Sequence, residues 1–260
     1  MADVLKRRDE SLVGAEWPDL IEKIRARTSA RVLVGRAGAA YRTGTQLDLR
    51  EAHAAARDAA RDELDLNAAF GIEFVKRWEL RESRTRARNK DEYLLRPDLG
   101  RQFDDESRER LLASCSRDRD IQIAIGDGLS VAAVAEQVPE LLPPLLDGAK
   151  ARGWIVGRAF VIRHCRVGIL NEIGELLKPR VAVLLIGERP GLATATSLSA
   201  YMAFHPTKVH TDAERNLISN IHARGVGAED AAERILELAA RMMKVGTSGC
   251  ALGQNSRRIE

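Results

Sequence analysis

Val181-Ala182-Val183-Leu184-Leu185-Ile186-Gly187-Glu188-Arg189-Pro190-Gly191-Leu192 is the stretch on which the fold turns. Its first six residues are apolar and read as a strand buried on both faces. The run is too short for a free-standing helix, and glycine stops it at once. Glu188 and Arg189 then fall between Gly187 and Pro190-Gly191, so a charged pair sits where the chain must turn. In open parallel sheets ligands gather at the carboxyl ends of strands, which makes this loop a candidate site. An ordinary surface turn is the competing reading.

The neighbouring segments supply the rest of such a sheet. Ile121 to Ile125 is a short β-branched strand followed by Gly126-Asp127-Gly128-Leu129-Ser130, and Ser130 can cap a helix starting at Val131. Strand, glycine turn and capped helix form the repeating unit of a doubly wound sheet. Pro139, Pro143 and Pro144 are expected to break up the segment that follows. Trp154 to Ile162 reads as a strand, Val167 to Leu177 as a helix, and Leu198 to Phe204 as an edge strand. Thr211-Asp212-Ala213-Glu214 is a capping box, expected to open a helix that ends near Gly225. Glu229 to Lys244 is amphipathic and ends at Gly246, and the tail past Leu252 is expected to fray.

Upstream, Leu20 to Ile24 and Asp48 to Leu64 carry helical periodicity, and a further polar helix is expected over Phe70 to about Arg88. The glycines of Gly35-Arg36-Ala37-Gly38 and Tyr41-Arg42-Thr43-Gly44-Thr45 mark an ordered loop between them. The expected architecture is α/β. A helical N-terminal domain over residues 1–95 precedes a Rossmann-like, mostly parallel sheet with flanking helices over residues 96–260.

Composition narrows the function. With 41 Lys+Arg against 38 Asp+Glu, interleaved along the chain, the net charge of +3 argues against a dedicated nucleic-acid binder. Arg81, Arg84, Arg86, Arg88 and Lys90 form one basic cluster without interleaved aromatics, read as a solvated helix face. No run of 18 apolar residues suggests a membrane span, and Met1 to Glu10 has no apolar signal core. A cytoplasmic location is therefore expected. Cys115, Cys165 and Cys250 lie far apart, which fits reduced thiols, and no histidine stands at ligand spacing to them, so no metal site is expected.

The motif search returns little. Gly126 and Gly128 supply two glycines of G-x-G-x-x-G, but Val131 occupies the third position, so a stand-alone nucleotide-binding enzyme lacks its phosphate loop. Asn220-Ile221-His222-Ala223-Arg224-Gly225 echoes the D-x-H-x-x-G motif with which some enzymes ligate cobalamin through histidine. Asparagine replaces the orienting aspartate, so His222 reads as a structural residue near a helix end.

Several segments in register carry a family resemblance: Gly35 to Gly38, Tyr93-Leu94-Leu95-Arg96-Pro97-Asp98-Leu99-Gly100-Arg101, Asp127 to Ser130, Arg163 to Val167, Gly187 to Leu192 with Ser197 to Ser199, and Ile218 to His222. Together they resemble the small (light) subunit of ethanolamine ammonia-lyase over residues 30–252. The resemblance implies an adenosylcobalamin-dependent lyase converting ethanolamine to acetaldehyde and ammonia. The large (heavy) subunit would hold the substrate and the upper face of the corrin. The small subunit would close over the lower face and nucleotide tail, with no catalytic residue and no metal ligand of its own. It implies cofactor contacts at Val167, Glu188 and Leu217, the last a departure from the cysteine of some members. Cobalamin would keep its own benzimidazole on cobalt, leaving His222 unligated. The resemblance gives the interior of a bacterial microcompartment as the alternative location, although this chain has little of the N-terminal extension that is a plausible targeting segment in some members. A nucleic-acid adaptor acting through Arg81 to Lys90 is the alternative from another class. A neighbouring gene for a barrel-type large subunit would separate the two.

Overall fold

The computed structural model describes residues 17–28, 31–191 and 194–256. Leu192 and the segment Met1 to Glu10 lie outside them. In chain order come α1 (Trp17–Ala26), a two-residue hairpin of β1 (Arg36–Ala37) and β2 (Ala40–Tyr41), α2 (Thr43–Ala59), α3 (Leu66–Phe70), α4 (Ile72–Arg77), β3 (Glu82–Arg84), α5 (Lys90–Leu95) and α6 (Asp105–Ser114). There follow β4 (Ile121–Gly126), α7 (Val131–Ala151), β5 (Phe160–Arg163), α8 (Ile169–Leu177), β6 (Val181–Gly187), β7 (Leu198–Phe204), β8 (Asn216–Ile221), α9 (Ala228–Val245) and α10 (Cys250–Ser256).

Six strands form one mixed sheet in the order β3-β5-β4-β6-β7-β8. The first four run parallel, with Ile121 opposite Val181 in the central pair, while β7 and β8 run antiparallel to their neighbours. The connections explain the change of sense. Parallel neighbours need a long crossover, and α7 and α8 provide it, whereas the described residues between β6 and β7 hold no helix.

Alternation along the strands sorts the core into two layers. Ile121, Ile123, Ile125, Val181, Val183 and Leu185 face α7 and α9, joined there by Leu64, Phe70 and Leu80. Ala124, Phe160, Ile162, Ala182, Leu184 and Ile186 face α8, with Leu111 of α6 and Phe103 behind. Every residue of β4 and β6 is buried, as the apolar runs required.

Local reading of the sequence misses where tertiary packing overrides it. Helix α7 runs unbroken through Pro139, Pro143 and Pro144. Its lower face of Val134, Val138, Leu141, Leu142 and Leu145 is fully buried, and that burial outweighs the amide bonds the prolines remove. The capping box at Thr211 does form, yet it opens a single 3-10 turn over Asp212–Glu214 and not a long helix. Residues 216–221 pair with β7 instead, so β7 is interior and not an edge. The segment expected as a polar helix to Arg88 ends its helix at Arg77. It then supplies β3, and Ser83 in the strand with Thr85 and Ala87 just after it are buried between exposed arginines. The sheet thus takes its first strand from before residue 95. Past Leu252 the described residues continue as α10 to Ser256.

Leu145 is fully buried on α7, whereas Leu95 is 80% exposed at the end of α5. Leu145→Ala is expected to lower unfolding free energy by about 2–5 kcal/mol. Leu95→Ala should stay within about 0.5 kcal/mol. Urea denaturation of the two variants checks the assignment of the core.

Candidate functional site

The carboxyl ends of β4, β5 and β6 open into a cavity of about 370 Å³. Gly128 and Leu129 line it from the β4 end, Cys165 to Val167 from the β5 end, and Ile186 to Arg189 from the β6 end. The antiparallel strands close the other side with Ser199, Tyr201, Leu217 and Ser219, and Tyr93 of α5 completes the wall. The strand-end loops meet backbone to backbone at the base. Gly128 has φ +59° and a Cβ there would lie 2.2 Å from Gly187 O, while a Cβ on Gly187 would lie 2.0 Å from Ser130 O. The glycines are spent on this approach, and Ser130 caps Ala133 N at 3.0 Å, so the start of α7 is not an open phosphate loop.

The turn after β5 is held by a buried ion pair. Asp127 is fully buried and accepts His164 N on Oδ2 and Cys165 N on Oδ1, both at 2.8 Å. Lys90 Nζ lies 3.7 Å from Asp127 Oδ2 and donates to Gly128 O at 3.1 Å. The remaining backbone groups of the turn are also met. Thr85 Oγ1 donates to His164 O at 2.9 Å, Tyr93 OH to Cys165 O at 3.1 Å, and Arg166 N to Gly100 O at 2.8 Å. His164 stands at φ +57°, a costly conformation for a residue with a Cβ, and these bonds fix it there. Its ring bridges Ala87 O at 2.9 Å and Glu63 at 3.1 Å.

Charge in the wall is settled by burial. Burial and the negative charge of Asp127 push both the Tyr93 phenol and the Cys165 thiol well above their usual ranges, so neither ionises near neutrality. The Tyr201 phenol is raised by burial, then by Glu188 and Asp212. The Arg166 guanidinium stacks over the Tyr93 ring, 4.1 Å from its centroid.

Val167, Glu188 and Leu217 all line this one cavity. Glu188 Oε1 accepts Ser199 Oγ at 2.5 Å and Asn220 N at 3.0 Å, tying the β6 loop to β7 and β8. Oε2 has no protein donor among the described residues. Leu217 is 47% exposed and offers an apolar surface at the rim. His222 follows β8 and is not near a helix end. It is buried, and its Nδ1 accepts Arg224 N at 3.2 Å while Nε2 meets Asn220 Oδ1 at 2.8 Å, so both nitrogens are engaged. The basic cluster divides: its arginines stay exposed while Lys90 is buried in the ion pair. Tyr93, Arg166 and Tyr201 were not singled out as site residues from the sequence. Asp127 between two glycines at a strand end was their one visible signal.

A cavity at the carboxyl ends of parallel strands, floored by glycine contacts and lined by Arg166, Glu188 and Arg189 among otherwise uncharged side chains, lies where α/β chains commonly bind ligands. The comparison with known families is specific. The model of the ethanolamine ammonia-lyase light chain matches residues 18–253. The chain is 40% identical over 227 residues to the ethanolamine ammonia-lyase small subunit of Clostridium perfringens, covering 87% of this chain and 75% of that one. It is 37% identical over 232 residues to the same subunit of Clostridium acetobutylicum, covering 89% and 93%. The chain belongs to the ethanolamine ammonia-lyase light chain family.

Two measurements test the scaffold. Asp127→Ala strands Lys90 and two backbone amides, and is expected to cost about 3–5 kcal/mol of stability. A double variant Lys90→Met/Asp127→Asn should cost less than the sum of its parts, read by urea denaturation as a coupling between the two positions. Glu63 is the pH-sensitive partner. Burial raises its pKa, but the bonds and charges of His164 and Arg163 outweigh this and hold it below the usual 4.5. Its stabilising contribution is thus complete above pH 4.5 and fades as pH falls through the depressed folded value. The difference in urea midpoint between wild type and Glu63→Gln should shrink on acidification below that point.

Proposed function

We propose that this chain is the small subunit of an adenosylcobalamin-dependent ethanolamine ammonia-lyase. In this reading it assembles with a large subunit that binds ethanolamine, and its Rossmann-like half covers the lower face and nucleotide tail of the cofactor. The observation that carries the reading is geometric. Val167, Glu188 and Leu217, from three different segments of the chain, converge on one cavity at the strand ends.

The residues fit the group. The cavity is far smaller than a corrin, so it would take an edge of the ring and not enclose it. Val167 and Leu217 give apolar contact. Glu188 Oε2, with no protein donor among the described residues, can accept an amide N–H of the corrin periphery. Arg166 Nε, buried without a hydrogen-bond partner in the cavity wall, is a further sign of an unfinished polar site. When bound, the cofactor supplies a cobalt–carbon bond that breaks homolytically. The residues of this chain bind it, orient it and exclude water, and they leave proton and radical handling to the partner. Both nitrogens of His222 are engaged within the protein, which supports cobalt keeping its own benzimidazole.

Glu188→Gln separates scaffold from contact. Glutamine keeps an acceptor for Ser199 and Asn220 but places a donor where Oε2 was free. The assembled complex should form normally and bind cobalamin roughly ten- to a hundredfold more weakly, about 1–3 kcal/mol. Titration followed by cobalamin absorbance measures this, and an unchanged affinity would remove Glu188 from the site. The purified chain by itself should show no ammonia-lyase turnover, which should appear once the large subunit and adenosylcobalamin are added.

A further inference from the structure

A second, larger cavity of about 800 Å³ lies on the other side of the same wall, sharing Arg166 and Val167 with the first. Its charge is one-sided. Arg101, Arg108, Arg166, Lys208 and Arg215 line it, against two carboxylates, Glu172 and Asp212. Both carboxylates are already committed. Arg108 Nη1 donates to Glu172 Oε1 at 2.5 Å, and Arg215 pairs with Asp212. Arg101, Arg166 and Lys208 form no ion pair among the described residues.

The polar network of this wall is incomplete. Arg166 Nε, His210 Nδ1 and Arg215 Nε are buried without a hydrogen-bond partner, and the Arg215 side chain is only 7% exposed. The Arg215 guanidinium is pushed down by burial, held up in part by Asp212 and pushed down again by the charge of Arg101. Gathered cations cost energy unless an anion compensates them. The frame around them is rigid. Asn171 donates to His210 O at 2.7 Å and accepts Arg215 Nη2 at 3.0 Å, and the stem of Arg101 packs against Gly168, where a Cβ would meet Arg101 Cγ at 2.8 Å.

We infer that this cavity is a binding site for a phosphate group, with Arg101, Arg166 and Lys208 as its cations; Arg166 also donates to Tyr93 O at 3.1 Å, which holds its guanidinium in the wall. Guanidinium groups match the paired oxygens of a phosphate, and a lysine adds a point charge. The group could reach the site as inorganic phosphate. It could equally arrive as the phosphodiester of the nucleotide tail of a cobalamin seated in the first cavity, a source that rests on the function proposed above.

Arg101→Gln and Lys208→Ala, singly and together, neutralise exposed side chains outside the core, and Arg234→Ala on α9 serves as a remote control. Calorimetric titration of the full chain with inorganic phosphate should show binding that weakens at least tenfold in the double variant and is unchanged in Arg234→Ala. Melting curves confirm that each variant is folded. Phosphate binding equal in wild type and double variant, or absent from both, overturns the inference. The source is then read in the complex with the large subunit, using cobalamin and cobinamide, which lacks the nucleotide and its phosphodiester. If the cofactor supplies the phosphate, the double variant weakens cobalamin at least tenfold and leaves cobinamide unchanged. If free phosphate is the ligand, both corrinoids bind as in wild type. Equal weakening of both would mean that the cations only shape the first cavity, and it rejects a phosphate site. Failure of cobinamide to bind even the wild-type complex would count against the corrin-binding cavity, while the phosphate titration still decides this one.

Discussion

One buried carboxylate sets the geometry on which the rest depends. Asp127 follows β4 with both oxygens turned to the amides of His164 and Cys165, and so joins the ends of two neighbouring parallel strands. Burying such a charge is costly unless it is paired and fully hydrogen-bonded, and Lys90 with the two amides supplies that compensation. The result is a turn with a left-handed histidine that places Arg166 and Val167 side by side in the wall between two cavities. A neutral residue at position 127 could not satisfy both amides and the ammonium together.

The strands that form the core were legible because they are buried on both faces. Val181 to Ile186 and Ile121 to Ile125 contain nothing polar but Gln122, whose amide donates to Ile123 O and Arg158 O. No competing local structure could account for such runs. Where the outcome depends on partners distant in sequence, local signals mislead. Pro139, Pro143 and Pro144 argue against a helix, and the capping box at Thr211 argues for one. Each proline costs about 3 kcal/mol and the cap is worth about 1 kcal/mol, and packing of α7 against the sheet and α9, or pairing of β8 with β7, decides against these signals.

The site was legible in part for a related reason. Glu188 follows a strand and precedes Pro190-Gly191, so its place in the loop at a strand end can be read from the chain. Val167 and Leu217 carry no such mark; they are ordinary apolar residues, brought in by resemblance and given a shared cavity by the fold. Lys90 shows the limit most clearly. It belongs by sequence to a run of exposed arginines, yet it opens α5 directly after the Asn89 cap and is buried there against Asp127. Nothing local distinguishes it from Arg88, which stays outside and pairs with Glu92.

The change from parallel to antiparallel pairing inside one sheet has a consequence for how the chain assembles. Strands β6, β7 and β8 form a meander whose contacts close short loops, whereas Ser83 must find Ile162 and Gln122 must find Ala182 across long stretches of chain. Loop-closure entropy makes the first kind of contact fast and the second slow. The first cavity draws one wall from each kind: Ser199, Tyr201 and Leu217 from the local meander, Gly128 and Val167 from the long-range parallel half. Its two sides therefore meet only when the slowest pairings are complete, so competence to bind reports the end of folding and not its beginning.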